Sequence, residues 1–327
     1  MDRPRTSPQQ RLALAAAGFV ALAIVLYIVL HAAAERLLQE RAHANPFHRI
    51  AVAERDVDWV ILGSSHAMPL DFGGFGQQME RDTGQVILNL GTQGAGPMYS
   101  RLVLRQFLRT HTTRNVLYVA DGFAFQSRTW NEDRLVEPKL LARTPWDPEL
   151  ARALARSVVR DGVSWRGWLD YATGFSRINN RERFQPDRWE AEDQFDKAWR
   201  PSASAVRNRI AYLYPEGMQP QAQARYLAQL EELLRMAAAA GARATVVKLP
   251  VPRSYREALP DEAAFDAALG RAAFVAGASW QDLSGSFDAP EFFFDSDHLN
   301  RRGATRLYEL RLRALLTAKA PSAREGT

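Results

Sequence analysis

The sequence predicts an α/β protein in which a parallel sheet is covered by helices on both sides, preceded by one membrane-spanning helix. Short apolar runs alternate with helical patterns along most of the chain, as they do where crossover helices join parallel strands. With 46% hydrophobic and 24% charged residues, the 327-residue chain has the composition of a folded globular protein. One N-terminal segment, in contrast, is apolar throughout.

That N-terminal segment is predicted to be a transmembrane helix over residues 12–34. It carries no charged side chain between Arg11 and Glu35. As a helix it is about 34 Å long, enough to cross a hydrocarbon core of about 30 Å. A cleaved signal peptide is the alternative, with Ala32-Ala33-Ala34 as the cleavage site. The run is longer than the roughly 7 to 15 apolar residues of a signal peptide, which favours a retained anchor.

The charges on either side of the span predict its orientation. Arg3, Arg5 and Arg11 precede it, whereas acidic and basic residues are mixed after it. Residues 1–11 are therefore expected in the cytoplasm and the rest of the chain outside it. In a bacterium this means a single-pass protein of the inner membrane with a periplasmic domain.

The chain contains no cysteine. This excludes a thiol nucleophile, a thiolate metal site and a disulfide, and a cysteine-free domain tolerates an oxidising compartment without mispairing.

After the span, the elements are expected in the order of an open parallel sheet. A polar connector covers 35–56, the α/β domain covers 57–318, and 319–327 form a flexible tail. A helix over about 219–240 ends at Gly241, and the last helix, about 301–318, begins after the N-cap Asn300. The predicted strands are Val57–Leu62, Val86–Leu90, Asn115–Ala120, Ala244–Leu249 and Ser279–Leu283.

The segment 122–215 interrupts this alternation and is interpreted as an inserted cap. Its one clear helix signal opens with Asp147-Pro148 and closes at Gly162. The segment also holds six of the eight tryptophans. These rings either stack on sugars or form the core of the insertion, and the second interpretation is favoured.

The first candidate site is Gly63-Ser64-Ser65-His66, directly after the first predicted strand. Loops at the carboxyl ends of parallel strands form the ligand crevice, so Ser65 would be placed where chemistry occurs. The alternative is a serine that only caps the following helix.

The second candidate is the pair Asp295 and His298, three residues apart before the last helix. A serine hydroxyl needs a histidine to accept its proton, and that histidine needs a carboxylate to fix its tautomer. His66 adjoins the serine, but its ring is expected to point away from the hydroxyl.

The third candidate runs from Asn89 to Gly94 after the second predicted strand. Glycines at a strand end let backbone N–H groups approach a ligand, and the alternative is a tight turn.

In this order and approximate spacing, the three motifs resemble the SGNH (GDSL-type) hydrolase superfamily, which has a flavodoxin-like three-layer fold, over about residues 57–316. The resemblance implies that Ser65 is the nucleophile, His298 the general base and Asp295 its orienting carboxylate. It further implies that the backbone N–H groups of Ser65 and Gly94 form an oxyanion hole, with Asn89 as a supporting residue.

The sequence departs from the family pattern at one position. The family carries an asparagine after the middle strand, where this chain has Asp121. An ionised carboxylate would repel an oxyanion, so the third donor stays unassigned and Asp121 is expected to orient the Ser65 loop.

A single N-terminal span before such a domain resembles proteins of bacterial surface-polymer acylation. These include the alginate O-acetyltransferases and the membrane-anchored protein of teichoic acid D-alanylation. The resemblance implies an O-acetyl transfer to a polysaccharide acceptor and a multi-pass membrane acyltransferase as partner. A carbohydrate esterase or deacetylase, or a non-catalytic polysaccharide-binding subunit, are the alternatives.

Other function classes have little support. A net charge of +5, from 42 basic and 37 acidic residues, is too mild for a nucleic-acid partner. The chain has no P-loop or dinucleotide motif, so no cofactor is expected. No metal is expected either, since His43 and His48 lie in the connector and no second carboxylate–histidine cluster is evident beside Asp295 and His298.

Overall fold

The computed structural model describes residues 7–40, 44–179 and 188–318. The predictions for residues 1–6, His43 and 319–327, and part of the predicted insertion, lie outside these ranges. Within them, five strands form one sheet. The strands are β1 (Asp56–Gly63), β2 (Ile87–Asn89), β3 (Thr112–Val119), β4 (Arg243–Lys248) and β5 (Ser279–Asp282).

Helices precede the sheet, connect its strands and follow it. The α-helices are α1 (Pro8–Gln39), α2 (Pro46–Val52), α3 (Phe75–Thr83), α4 (Pro97–Phe107), α5 (Glu132–Leu135), α6 (Pro138–Leu141), α7 (Pro148–Asp161), α8 (Trp165–Thr173), α9 (Phe175–Asn179), α10 (Ala203–Leu213), α11 (Pro220–Ala239), α12 (Arg253–Arg256), α13 (Glu262–Val275), α14 (Arg301–Leu307) and α15 (Arg313–Thr317). Short 3-10 helices cover Ser65–Gly74, Gly122–Phe125, Arg128–Trp130, Glu190–Gln194 and Pro290–Phe292, and a π-helical turn covers Tyr308–Leu312.

The sheet has the order β2-β1-β3-β4-β5, and all of its neighbouring strands are parallel. Side chains alternate across β1, so Val60 and Leu62 enter one buried cluster whereas Trp59 and Ile61 enter the other. Residues of α4, α11 and α13 complete the first cluster, and residues of α3 and α14 complete the second. The predicted three-layer α/β fold is therefore confirmed.

Local signals place the helix ends as expected. The Asp147 carboxylate accepts the Leu150 N–H at the start of α7, and the Asn300 amide oxygen accepts the Gly303 N–H at the start of α14. The last predicted helix is interrupted by the π-helical turn between α14 and α15. The predicted polar connector contains α2, whose Phe47 and Ile50 are buried in the first core cluster.

The N-terminal helix differs from the others in its surroundings. The stretch Pro8–Leu38 is long and apolar enough to cross a membrane, and its most apolar window is not buried in the protein. Its C-terminal part, from Tyr27 onward, contacts the rest of the chain, and Ala34 and Leu38 are buried there.

The tryptophans of the segment between β3 and α11 have mixed surroundings. Trp130 is buried in the first core cluster, whereas Trp146 and Trp165 are exposed. Trp189 is partly buried and lies over the site described next. Neither interpretation from the sequence applies to all of these rings.

Candidate active site

The candidate site lies at the carboxyl ends of β1 and β3, where the strand order reverses. In open parallel sheets this is where a crevice forms, because the connections from two neighbouring strands leave in opposite directions. Ser64 and Ser65 follow β1, and Asp121 follows β3. The loop before α14 brings Asp295 and His298 to the same edge.

Ser65, His298 and Asp295 form one hydrogen-bonded chain. The Ser65 hydroxyl lies 2.9 Å from Nε2 of His298, and Nδ1 of His298 lies 2.9 and 3.0 Å from the two carboxylate oxygens of Asp295. A carboxylate facing Nδ1 holds the proton there, which leaves Nε2 free to accept the serine proton. A hydrogen-bonded chain of this kind can activate a serine for nucleophilic attack.

The Asp295 carboxylate also fixes the local backbone. Its Oδ1 accepts the N–H groups of Asp297 and His298 at 3.0 and 2.8 Å. The four-residue segment from Asp295 to His298 therefore sets the position of the histidine ring relative to the carboxylate.

Aromatic rings enclose the histidine. The Phe294 ring stacks on His298 with centroids 5.4 Å apart, and the Trp189 ring meets it edge-on at 4.9 Å. Ser65 and His298 are consequently only 2% and 1% exposed. A reaction at Ser65 would take place largely out of contact with bulk water.

A serine that only caps the following helix was the alternative interpretation of this loop, and Ser64 is that serine. Its hydroxyl oxygen accepts the His66 N–H at the start of the 3-10 helix, and its O–H donates to the Asp121 carboxylate. The two adjacent serines thus have separate partners, Ser64 facing Asp121 and Ser65 facing His298.

Asp121 belongs to a second, buried network of ionisable groups. His66 donates from Nδ1 to Asp121 and from Nε2 to Asp297, the latter at 3.1 Å. Asp297 also accepts two contacts of 2.8 Å from the Arg209 guanidinium. The His66 ring lies 4.8 Å from the His298 ring, so this network borders the triad directly.

The network holds His66 in its charged form. Burial alone favours a neutral imidazole, but Asp121 and Asp297 on its two nitrogens outweigh burial and raise the pKa of His66 to about 10. Burial opposes ionisation of Asp297 as well, yet the neighbouring His298, His66 and Arg209 lower the pKa of that carboxyl group. The charges of His66 and Arg209 therefore balance those of Asp121 and Asp297 at neutral pH.

The sequence predicted no second carboxylate–histidine cluster, and this prediction is wrong. Asp121 and Asp297 lie 55 and 231 residues from His66, so no local spacing connects them. His66, Asp297 and His298 also place ligand-type atoms within 4.8 Å of one another. Both ring nitrogens of His66 bind carboxylates, so in this structure the trio belongs to an ion-pair network.

Asn89 joins the loops that follow β1 and β2. Its side-chain amide donates to the Ala67 carbonyl at 2.8 Å, and its amide oxygen accepts the Gly91 N–H at 2.9 Å. Asn89 therefore supports the Ser65 loop through two bonds to backbone groups. Neither bond involves Ser65, His298 or Asp295.

Gly94 lies in a turn that only glycine tolerates well. Its φ is +64°, and a Cβ there would lie 3.0 Å from the Trp130 ring. Arg134 donates to the Gln93 carbonyl beside it. The turn is thus held by Trp130 and Arg134, and it lines a cleft that also includes Trp189, the ring that contacts His298.

That cleft has a volume of about 640 Å³. A smaller cavity of about 200 Å³ adjoins it, and the two share Met68, Arg188 and Trp189 in their walls. The larger cleft is lined by aromatic and charged side chains. These include Trp130, Trp189, Tyr212, Arg134, Lys139, Arg143, Arg188, Glu137 and Glu190.

Comparisons with known proteins give fold-level similarity alone. No protein-family model matches the chain, and no curated protein matches it. A crystal structure of a protein provisionally described as an acylhydrolase, from Bacteroides fragilis, is similar at 10% identity and a TM-score of 0.42, covering 83% of this chain and 93% of that one. A protein from Streptococcus pneumoniae, provisionally described as a platelet activating factor, is similar at 12% identity and a TM-score of 0.39, covering 90% and 99%.

Proposed function

We propose that this chain is an SGNH-type serine O-acyltransferase that transfers an acetyl group to a polysaccharide through an acyl-Ser65 intermediate. The observation that supports this proposal most directly is the hydrogen-bonded chain from Ser65 through His298 to Asp295. In this proposal α1 anchors the protein in the bacterial inner membrane and the α/β domain lies in the periplasm. A multi-pass membrane acyltransferase supplies the acyl group.

The first half-reaction transfers the acyl group to the protein. His298 takes the Ser65 proton on Nε2 while Oγ attacks the donor carbonyl, and Asp295 stabilises the resulting imidazolium. The tetrahedral intermediate then expels the donor's leaving group, which takes the proton from His298. An ester bond to Ser65 has formed and the donor's acyl bond has broken.

The developing oxyanion needs hydrogen-bond donors in a site without an unbalanced negative charge. We assign the backbone N–H groups of Ser65 and Gly94 to this role. Asp121 stands where the family pattern has an asparagine, but it is paired with the His66 cation and the Ser64 hydroxyl. This pairing reduces the repulsion that an isolated carboxylate would exert on the oxyanion.

The second half-reaction passes the acyl group to the acceptor. His298 removes the proton of an acceptor hydroxyl, which attacks the acyl-Ser65 carbonyl, and the proton returns to Ser65 as the ester leaves. Transfer requires that a sugar hydroxyl outcompete water. The burial of Ser65 and His298 beneath Trp189 and Phe294 supports transfer because it limits the access of water.

The cleft beside the triad supports a carbohydrate acceptor. Aromatic faces bind the apolar faces of sugar rings, and charged side chains bind their hydroxyl groups. Trp189 lines both adjoining cavities, and its ring contacts the His298 ring.

The test uses the full-length protein in detergent with p-nitrophenyl acetate and an oligosaccharide acceptor. We expect acetylated oligosaccharide from the wild type and none from Ser65→Ala, while Ser204→Ala, an exposed serine on α10, keeps full activity. In cells, Ser65→Ala should abolish polymer acetylation without lowering the protein level.

Three outcomes would contradict the proposal. Wild-type release of acetate without any transfer would reassign the chain as an esterase. Unchanged transfer by Ser65→Ala would remove the nucleophile. Failure of a serine-directed phosphonate to label the wild type, with intact glycan binding, would favour the non-catalytic subunit.

A further inference from the structure

The apolar N-terminal helix is docked against the rest of the protein rather than joined to it by a free tether. The Tyr27 hydroxyl donates to the Thr173 carbonyl at 3.0 Å, at the turn between α8 and α9. The His31 ring lies so close to Gly174 that a Cβ there would be 2.4 Å away. Two successive turns of α1 are therefore packed on the α8–α9 turn.

A buried arginine fixes the same contact from the other side. Arg177 of α9 is 1% exposed and bonds Glu35 at 2.7 Å and His31 at 3.1 Å, both on α1. Glu35 also accepts the Trp146 N–H at 3.1 Å. Because a buried charge is costly to leave unpaired, separation of α1 from α9 is strongly disfavoured.

These contacts set the height of the α8–α9 turn relative to a membrane. A hydrocarbon core of about 30 Å that begins at Leu12 spans about 20 helical residues and ends near residue 32. Tyr27 lies about 7 Å below that level, at a rise of about 1.5 Å per residue. The turn bonded to Tyr27 is thus brought close to the boundary between the hydrocarbon core and the headgroup region.

Four large side chains around this turn expose apolar surface to solvent, beside the exposed polar residues Arg166 and Thr173. Trp165 and Leu169 are 57% and 42% exposed and lie four residues apart on one face of α8. Phe175, at the start of α9, is 59% exposed. Trp146, 44% exposed, donates from its indole N–H to the Ala172 carbonyl of α8.

We propose that Trp146, Trp165, Leu169 and Phe175 form an interfacial patch that inserts into the lipid headgroup region of the leaflet on the domain's side. Tryptophan concentrates at membrane interfaces because its ring is apolar and its N–H is polar. The patch is continuous with the membrane span through Tyr27, which favours lipid as its occupant. The inference rests on the membrane anchor of the proposed function.

Insertion of the patch gives the domain a second attachment beside α1. The α/β domain would then sit on the bilayer in one orientation, and its cleft would stay at a fixed height above the membrane. An acyl donor delivered by a membrane protein would then meet the triad at a constant distance from the bilayer.

Because the chain contains no cysteine, an introduced cysteine can be labelled without first removing others. Single cysteines are introduced as Leu169→Cys and Phe175→Cys in the full chain and labelled with an environment-sensitive dye. Leu22→Cys, on the exposed face of α1, reports the span itself. Phe274→Cys, 82% exposed on α13, is the matched control for an exposed apolar side chain outside the patch.

The labelled proteins are reconstituted into phosphatidylcholine vesicles that contain spin-labelled lipid. We expect the dyes at 22, 169 and 175 to be quenched at least twofold more than the dye at 274. Quenching at 22 with none at 169 and 175 beyond the level at 274 would overturn the patch and leave the anchor intact. Quenching at none of the four positions would overturn the anchor and, with it, the patch. Shielding of 169 and 175 from aqueous quencher without lipid quenching would assign the patch to a protein contact instead.

Discussion

Replacing His66 by glutamine tests whether a buried cation balances the two carboxylates next to the triad. In the folded protein the pKa of His66 is raised from 6.5 to about 10, which corresponds to a preference for the charged form of about 5 kcal/mol. The shift is net upward despite burial, because Asp121 and Asp297 bind the two ring nitrogens. His66→Gln removes this contribution while keeping a polar side chain of moderate size.

The expected effect on stability depends on pH in a defined direction. A group whose pKa is raised on folding stabilises the protein fully below its unfolded pKa, here 6.5, and loses that effect as pH rises through its folded pKa of about 10. The free energy of unfolding of the wild type should therefore exceed that of His66→Gln by about 4 to 5 kcal/mol at pH 6. Most of that difference should vanish by pH 10.5.

Urea unfolding of the full chain in detergent, followed by tryptophan fluorescence at pH 6, 8 and 10.5, measures this difference. His111→Gln, in the connection between α4 and β3 and outside the ion-pair network, serves as the matched control and should differ little from the wild type. If the gap between wild type and His66→Gln stayed constant from pH 6 to 10.5, the imidazolium would not be the species that binds Asp121 and Asp297.

Two further substitutions test the assignments at the triad and the oxyanion site. Asp295→Asn should lower kcat for acetyl transfer by about 10³- to 10⁴-fold because His298 loses its orienting acceptor. Asp288→Asn, which changes a partly exposed carboxylate bound to Arg253 and Arg256, should leave kcat unchanged. Equal effects would argue against an orienting role for Asp295. Gly94→Ala and Gly84→Ala both place a side chain at positive φ, which should cost about 1 kcal/mol of stability in each, and Gly94→Ala should cost more because its Cβ also meets the Trp130 ring. Only Gly94→Ala should also lower kcat, by up to about 100-fold, and equal kcat for the two variants would exclude Gly94 from the oxyanion site.

Hydrophobic patterning was sufficient to predict the sheet. Each of the five observed strands overlaps a predicted one, because runs of buried apolar residues carry that information locally. The ends are less well predicted. β2 is shorter than the predicted Val86–Leu90, and β3 begins earlier, at Thr112 rather than Asn115. Strand ends depend on which backbone groups find partners in the neighbouring strand, and the sequence does not state those partners.

The three triad residues could be proposed from sequence for two different reasons. Asp295 and His298 are three residues apart, so their contact needs only one loop. Ser65 could be added because it follows a predicted strand, and carboxyl ends of parallel strands share one edge. Their catalytic roles stay predictions, tested by the substitutions above.

The sequence by itself determined the apolar span, the parallel α/β fold and the candidate serine, histidine and aspartate. Each of these follows from residues close together in the chain or from the general geometry of parallel sheets. Only the tertiary structure decided that His66 pairs with Asp121 and Asp297, that Trp189 covers His298, and that α1 is docked on α9. The physical reason is that packing brings these groups together across 55 to 231 residues of sequence. Hydrophobic periodicity indicates which side of an element is buried, but it does not indicate which residues that side contacts.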